Sequence, residues 1–199
     1  MPKMRVICLT GWAGSGKDAT ASILVKKYGF VQMAFASILK DIASEVYKFP
    51  RELADTQEGK QTLWPCGYEK KTIRDLLLLV GNVERERFGS DIYARNLIES
   101  IKKLPSSSNV VISDLRYPVE LSQLKLFTRE NELEFELWRI QRNGQTESSV
   151  KDVSETYMES FNPTCILQNP GTTMEELEKV VDEQFKKISM ESTEECCIM

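Results

Sequence analysis

The run RVICLT at 5–10 passes without a break into Gly11-Trp12-Ala13-Gly14-Ser15-Gly16-Lys17-Asp18 and then into ATASILVKKYG. The first stretch reads as a buried strand. The segment 17–29 reads as a helix, with Gly29 as its natural stop. A glycine-rich turn between a buried strand and a helix confines this chain more than any other feature. Gly11, Gly14 and Gly16 let the backbone curl so that its N–H groups point inward. The helix start adds partial positive charge at the same spot. The spacing is G-x-x-x-x-G-K-[ST], the pattern of a phosphate-binding loop, with aspartate in the last place.

The rest of the chain alternates in the same way. FVQMAFA (30–36) reads as a second strand, and SILKDIASEVY (37–47) as a helix with Ser37 as a candidate cap. Residues 48–70 carry Pro50, Pro65 and Gly67 among charges and read as a loop region. TIRDLLLLVGNVERERFG (72–89) and DIYARNLIESIKKL (91–104) read as helices, the first largely buried through 76–80. VVIS (110–113) is a short apolar strand ending at Asp114, and VELSQLKLFTREN (119–131) returns as a helix. LEFELWRI (133–140) reads as a strand, QRNGQTESS (141–149) as a polar loop and TCILQN (164–169) as a last strand. Met174, Leu177, Val180, Val181, Phe185 and Ile188 make one face of a closing helix. Apolar, non-alternating strands interleaved with helices imply an α/β fold: a parallel sheet of about five strands, with helices on both faces. With 199 residues, one domain is expected over 1–190, followed by a flexible tail over 191–199.

Composition closes several routes. The formal net charge of −4 gives no bulk footprint for nucleic acid. No apolar run approaches the roughly 18 residues of a membrane span. Met1-Pro2-Lys3-Met4-Arg5 leads straight into the first strand, with no room for a secretory leader. The cysteines Cys8, Cys66, Cys165, Cys196 and Cys197 form no C-x-x-C pair, and histidine is absent, so zinc is not expected. Cys8 and Cys165 read as buried inert thiols, and the cytoplasm fits best. Without histidine, Ser-His-Asp and Cys-His chemistry is excluded. Whatever reaction occurs must use Lys, Arg, Asp and Glu.

The loop residues Gly11, Gly14, Ser15, Gly16, Lys17, Asp18, Ala19 and Thr20 are therefore candidate ATP contacts, with Lys17 reaching the β- and γ-phosphates. The usual Ser/Thr hydroxyl after the lysine ligates Mg²⁺. The Asp18 carboxylate is also a hard oxygen ligand, directly or through water. Alternatively Asp18 only caps the helix, and Thr20 supplies the hydroxyl.

Beyond the loop, the chain resembles the phage-type deoxynucleoside monophosphate kinases, whose loop commonly reads GKD. FASILKD (35–41) is similar to that family's segment after its second strand, with Lys40 at the basic position. IRDLLLLVGNVERERFGSDIYARNL (73–97) matches its R-x-L-L-x-x-x-G-T-x-x-x-R segment at Arg74, Gly81 and Arg85. VVISDLRYPVE (110–120) matches V-V-x-D-x-R-x-P-x-E at Asp114, Arg116 and Glu120. VSE (153–155), followed by CILQNPGTTMEELEKVV (165–181), resembles its closing S-E, strand, Asn, helix pattern. Asn82 replaces the family's threonine, and the 48–70 segment is short. Animal-type phosphomevalonate kinase shares the GKD loop, the Arg74 and Arg85 positions and the S-D-x-R strand end. The RYPVE continuation is closer to the nucleotide kinases.

The resemblance implies ATP-dependent phosphoryl transfer to a small phosphate acceptor, a (deoxy)nucleoside monophosphate, with Mg²⁺. It implies Arg74, Arg116, Lys40, Arg85 and Glu155 on the acceptor side and Asp114 as an acceptor-side or metal-holding carboxylate. Each has a plainer alternative. Asp114 caps a helix, Arg74 pairs with Asp41 or Glu45, and Arg85 belongs to a solvated helix end. Arg142, in the polar stretch, is the candidate arginine of a closing lid, or plain surface charge. A non-catalytic nucleotide switch and a defunct kinase fold are the rival classes, and no N-K-x-D signature for guanine is found. Cys196-Cys197-Ile198-Met199 fits C-a-a-X, which would place a lipid on Cys196, but the preceding ESTEE is acidic where a basic helper is usual.

Overall fold

The computed structural model describes residues 3–144 and 157–196, with side chains through 190. Strand β1 (Arg5–Thr10) lies at the centre of a five-stranded sheet. On one side it pairs in parallel with β5 (Val110–Ile112), which pairs with β2 (Val31–Met33). On the other it pairs in parallel with β6 (Glu134–Arg142), which pairs with β7 (Cys165–Asn169). The order is β2-β5-β1-β6-β7. β1 therefore sits where the chain order turns in opposite directions, the place where open parallel sheets leave a crevice beyond their carboxyl ends.

Helices cover both faces at the centre of the sheet, which explains why β1 and β5 are buried along their whole length and mainly apolar. Strand side chains alternate between faces. Val6 and Cys8 pack on one side with Val110, Ile112 and Leu137, under α5 (Ile92–Lys102) and α6 (Pro118–Glu130). Ile7 and Leu9 pack on the other with Val111, Trp138 and Ile140, under α1 (Lys17–Tyr28) and α7 (Met174–Cys196). Cys8 is fully buried, and burial holds its thiol well above the usual range. Cys165 is only half-buried, with its thiol pushed up to about 11 by burial.

The expected strands and helices are present, with five differences. β2 stops at Met33, because the chain bends there into α2 (Ala36–Tyr47). Ser37 does not cap α2. It lies inside the helix, whose leading amides are taken by Asp114. The region 48–70 is not a loop. It holds a 3₁₀ turn (Arg51–Ala54), α3 (Gln57–Gln61) and an antiparallel hairpin of β3 (Leu63–Cys66) and β4 (Glu69–Thr72). These pieces close over α2 and α4 (Ile73–Phe88) in a small core of Ala43, Phe49, Ala54, Ile73, Leu76 and Val80. α4 buries only that stripe, and Leu78 and Leu79 are exposed. Finally, the backbone of α7 runs on to Cys196, past the expected start of a tail at 191. The Cys196 side chain and 197–199, where the lipid motif falls, lie outside the described residues.

Candidate functional site

The loop between β1 and α1 curls as the glycines require. Gly11 has φ 142°, and a Cβ there would run into the Ile140 carbonyl oxygen. Gly16, the N-cap of α1, has φ 107°, and a Cβ there would strike the Asn169 amide. Side chains rarely adopt such φ values, so both positions call for glycine. Asn169, at the end of β7, donates from Nδ2 to the Ser15 carbonyl at 2.7 Å and so braces the loop from below. Among the described residues no side chain caps α1. Its first N–H groups therefore remain available to an anion. Lys17 Nζ bridges the carbonyls of Gly11 at 2.7 Å and Trp12 at 2.9 Å.

Asp18, in the first turn of α1, is exposed and lines the cleft above the loop. No hydrogen bond or ion pair engages its carboxylate among the described residues. Thr20 behaves otherwise. It is fully buried and outside the cleft lining, so its hydroxyl is not the metal ligand that its spacing allowed. Ser15 is likewise buried, and Ala19 packs against the core under α1.

One cleft of about 820 Å³ opens beyond the carboxyl ends of β1, β2 and β5. It brings together Gly14, Lys17, Asp18, Lys40, Arg85, Asp114 and Arg116, which the sequence scatters over a hundred residues. Asp114 accepts from the Phe35 amide at 2.8 Å and the Ala36 amide at 3.0 Å, tying β5 to the start of α2. Burial raises its pKa, against the pull of those two amides and of Arg116 and Lys40. Arg116 and Tyr117 donate their amides to Glu120 Oε2 at 3.1 and 3.0 Å. Glu120 thus fixes the turn from which the exposed Arg116 side chain reaches the cleft. Burial, with Asp114 nearby, pushes Glu120 up to about 7, against the opposing charge of Arg85. The Arg85 guanidinium lies over the rings of Tyr93 at 4.9 Å and Tyr117 at 4.6 Å. That double stacking holds a cation in one orientation at the cleft.

Other expectations are corrected. Arg74 pairs with neither Asp41 nor Glu45. It is exposed and donates to Gln57 at 3.0 Å, at the rim of the cleft. Its suggested partners are taken, Asp41 by Arg51 and Glu45 by Lys48. Arg142 ends β6 beside the phosphate loop, donating to the Gly14 carbonyl at 3.5 Å and the Gly171 carbonyl at 3.1 Å. It is not among the residues lining the cleft. Glu155 and the remaining candidate lid stretch lie outside the described residues.

The structure adds cleft residues that the sequence did not reveal. Arg51 and Lys60 line it from the 48–70 region, together with Asp55 and Gln57. Lys40 pairs with Asp55 at 2.9 Å, and Arg51 holds Asp55 at 2.9 Å and Asp41 at 2.6 Å. Lys60 is half-buried. Its pKa is lowered by burial, then by Lys40, Arg74 and Arg116, with Asp55 acting the other way. No local pattern marks QEGKQ as a wall of the site. Only the small core beneath it does. A smaller cavity of about 160 Å³ shares Gln32, Ser37 and Tyr93 with the cleft and continues to Asn96 on α5.

No known family's sequence profile matches the chain. A protein of Acanthamoeba polyphaga mimivirus, named provisionally as a deoxynucleotide monophosphate kinase, is 40% identical over 60 residues. That stretch is 30% of this chain and 31% of that protein, so the match spans less than a third of the relative's length. TT1252 of Thermus thermophilus is 17% identical with a TM-score of 0.50, over 96% of this chain and 98% of that one. The APS kinase CysC of Mycobacterium tuberculosis, solved with AMPPNP and APS, is 12% identical with a TM-score of 0.48, over 94% and 99%. The likeness to TT1252 shows a shared α/β fold across nearly the whole of both chains.

Proposed function

We propose that this chain is a P-loop kinase that transfers the γ-phosphoryl group of ATP to a (deoxy)nucleoside monophosphate, releasing ADP and the corresponding diphosphate. One observation carries this proposal. The uncapped start of α1 with Lys17 opens into the same cleft as Lys40, Arg85 and Arg116. A polyphosphate on the loop would thus face a second group of cations suited to another phosphate. The partial match to the mimivirus protein, by its name, supports the same acceptor class.

Phosphoryl transfer asks for positioning and charge neutralisation more than covalent chemistry. An oxygen of the acceptor phosphate attacks the γ-phosphorus as the bond to the bridging β–γ oxygen breaks, and ADP carries away the electron pair. The acceptor is already an anion, so no histidine base is needed. Lys17 and the α1 amides would hold the β- and γ-phosphates. Arg116 and Lys40, with Arg85 clamped between two tyrosines, would hold the acceptor phosphate in line. Arg74 would act from the rim, and Glu155 is placed on the acceptor side by resemblance alone. Arg142 would approach the nucleotide from the outer side of the loop.

Mg²⁺ fits the donor set. Asp18 offers a hard, unengaged carboxylate at the cleft. Asp114, with both oxygens on amides, would act only through water. When bound, the ion would offset the charge of the phosphates beside Asp18. No helix among the described residues is long and apolar enough to cross a membrane. A single cytoplasmic domain over 1–190 remains the proposed setting.

The side cavity favours a nucleotide over phosphomevalonate as acceptor. Among the described residues its lining includes Gln32, Ser37 and Asn96 and no charged side chain. That suits an uncharged heterocycle better than a carboxylate, which would lie there unpaired. The test is ADP release with each (d)NMP and with phosphomevalonate. Mg²⁺-dependent turnover of a (d)NMP is expected. Turnover of phosphomevalonate alone would move the assignment to that kinase. Nucleotide binding with no acceptor consumed would leave a switch.

A further inference from the structure

The cleft wall formed by 51–61 carries two cations in different states. Arg51 is committed, with Asp41 and Asp55 on its guanidinium. Lys60 is not. Among the described residues no hydrogen bond or ion pair engages its ammonium, although it is half-buried in the cleft wall. Lys40, Arg74 and Arg116 act against its charge, and Asp55 acts the other way. Such a group is disfavoured twice, by lost hydration and by like charge. Asp55 cannot serve all these cations, because its two oxygens are already held by Lys40 and Arg51. The cleft is therefore short of negative charge at this wall, and a multiply charged anion would supply it.

We propose that Lys60 binds the acceptor's phosphate together with Lys40 and Arg116, and that Asp55 is the counter-ion that keeps Lys40 in place until this phosphate replaces it. This rests on the proposed kinase activity, and it names the acceptor's chemistry: a phosphomonoester carrying two charges. A dianion offers three oxygens to three cations, whereas the Asp55 carboxylate offers one charge. Lys60→Gln removes the charge, and Lys60→Arg keeps it at every working pH. Asp55→Asn removes the competitor for Lys40.

The common deoxynucleoside 5′-monophosphates, titrated calorimetrically into the full chain without ATP, test this. Lys60→Gln should weaken binding about 10-fold or more, the scale of one lost charge-assisted hydrogen bond. Lys60→Arg should bind within a few-fold of wild type, and Asp55→Asn should bind several-fold more tightly. Affinity for a non-hydrolysable ATP analogue should be unchanged in all three. Raising the pH adds a readout that a structural role would not move. The ligand stays dianionic above its second ionisation near pH ~6. Wild-type affinity should then fall at a lower pH than that of Lys60→Arg, because the ammonium loses its proton early. Lys60→Gln binding like wild type, or coincident pH curves for wild type and Lys60→Arg, overturns the assignment and leaves the kinase proposal to its turnover assay. A wild type that neither binds nor phosphorylates any monophosphate overturns both.

Discussion

Two residues show how much chemistry a single side chain carries here. Lys17 bridges two carbonyls of its own loop, contacts that an incoming phosphate would replace. Lys17→Ala should fold normally and lose on the order of 10²-fold or more in turnover, since a charge contact to the transition state disappears. Circular dichroism and the ADP-release assay check both halves. Near-normal turnover in a folded variant would sink the mechanism. Glu120 makes a prediction about stability. It is 4% exposed, and its folded pKa lies at about 7 against an ordinary value of 4.5. Between those values the folded state holds a proton that the unfolded chain has released, so this group's contribution falls as pH rises through the window. Asp114 and Cys8 share that environment, and Arg85 opposes the shift. Glu120→Gln keeps the shape and an acceptor for the Arg116 and Tyr117 amides but cannot ionise. Urea unfolding from pH 5 to 8 should show wild type losing stability relative to Glu120→Gln. Parallel curves would mean that Glu120 ionises freely in the fold.

At the scale of elements, α4 links local sequence to the site. Its start is a capping box. The Thr72 hydroxyl accepts from the Asp75 amide at 3.1 Å, and Asp75 accepts from the Thr72 amide at 3.2 Å. Thr72→Ala should cost about 1 kcal/mol in denaturant unfolding, with the slope unchanged. Arg74 lies in that first turn, so acceptor binding should weaken while binding of an ATP analogue does not. An effect on both, or on neither, would argue that the turn does not position Arg74. Elements were legible wherever apolar period and punctuation agreed. RVICLT and VVI are strands because neighbours cover both faces, CILQN is an edge strand whose buried and exposed residues alternate, and Gly29 ends α1 as its position suggested. The 48–70 segment was not legible. Its pieces are four or five residues long, and what holds them is contact with Ala43, Ile73 and Leu76 on two other helices. Asp114 illustrates the same limit. Its strand-end position was visible, but its partners are amides 78 and 79 residues away. Lys60 and Arg51 were missed for this reason, and Thr20 was misassigned because spacing along a helix does not say which face is covered.

The whole molecule combines a formal net charge of −4 with a cleft lined by Lys17, Lys40, Arg51, Lys60, Arg85 and Arg116. Lining carboxylates Asp18, Asp55, Asp114 and Glu120 offset part of this, and Glu120 is only partly ionised near neutrality. An acidic protein that gathers cations at one sheet edge pays for it in self-repulsion, and a bound polyanion should return that energy as stability. Ligand present at 100 times its Kd adds about 2.7 kcal/mol to unfolding. For a domain of this size each kcal/mol moves Tm by about 2–4 °C, so saturating ATP analogue with Mg²⁺ should raise Tm by roughly 5–10 °C. Because the proposed nucleotide and acceptor sites share one cleft, adding the acceptor should raise Tm further. The second increment should be largest in the presence of the metal, which offsets charge between the two anions. High salt should weaken the response, since screening reaches an open cleft within a Debye length of about 10 Å at moderate ionic strength. Lys17→Ala should lose most of the first increment and Lys60→Gln about half or more of the second. Scanning calorimetry on wild type and both variants, with each ligand alone and together, separates these terms. If both substitutions reduce both increments equally, the cleft is one undivided anion site, and the assignment of a nucleotide side and an acceptor side fails.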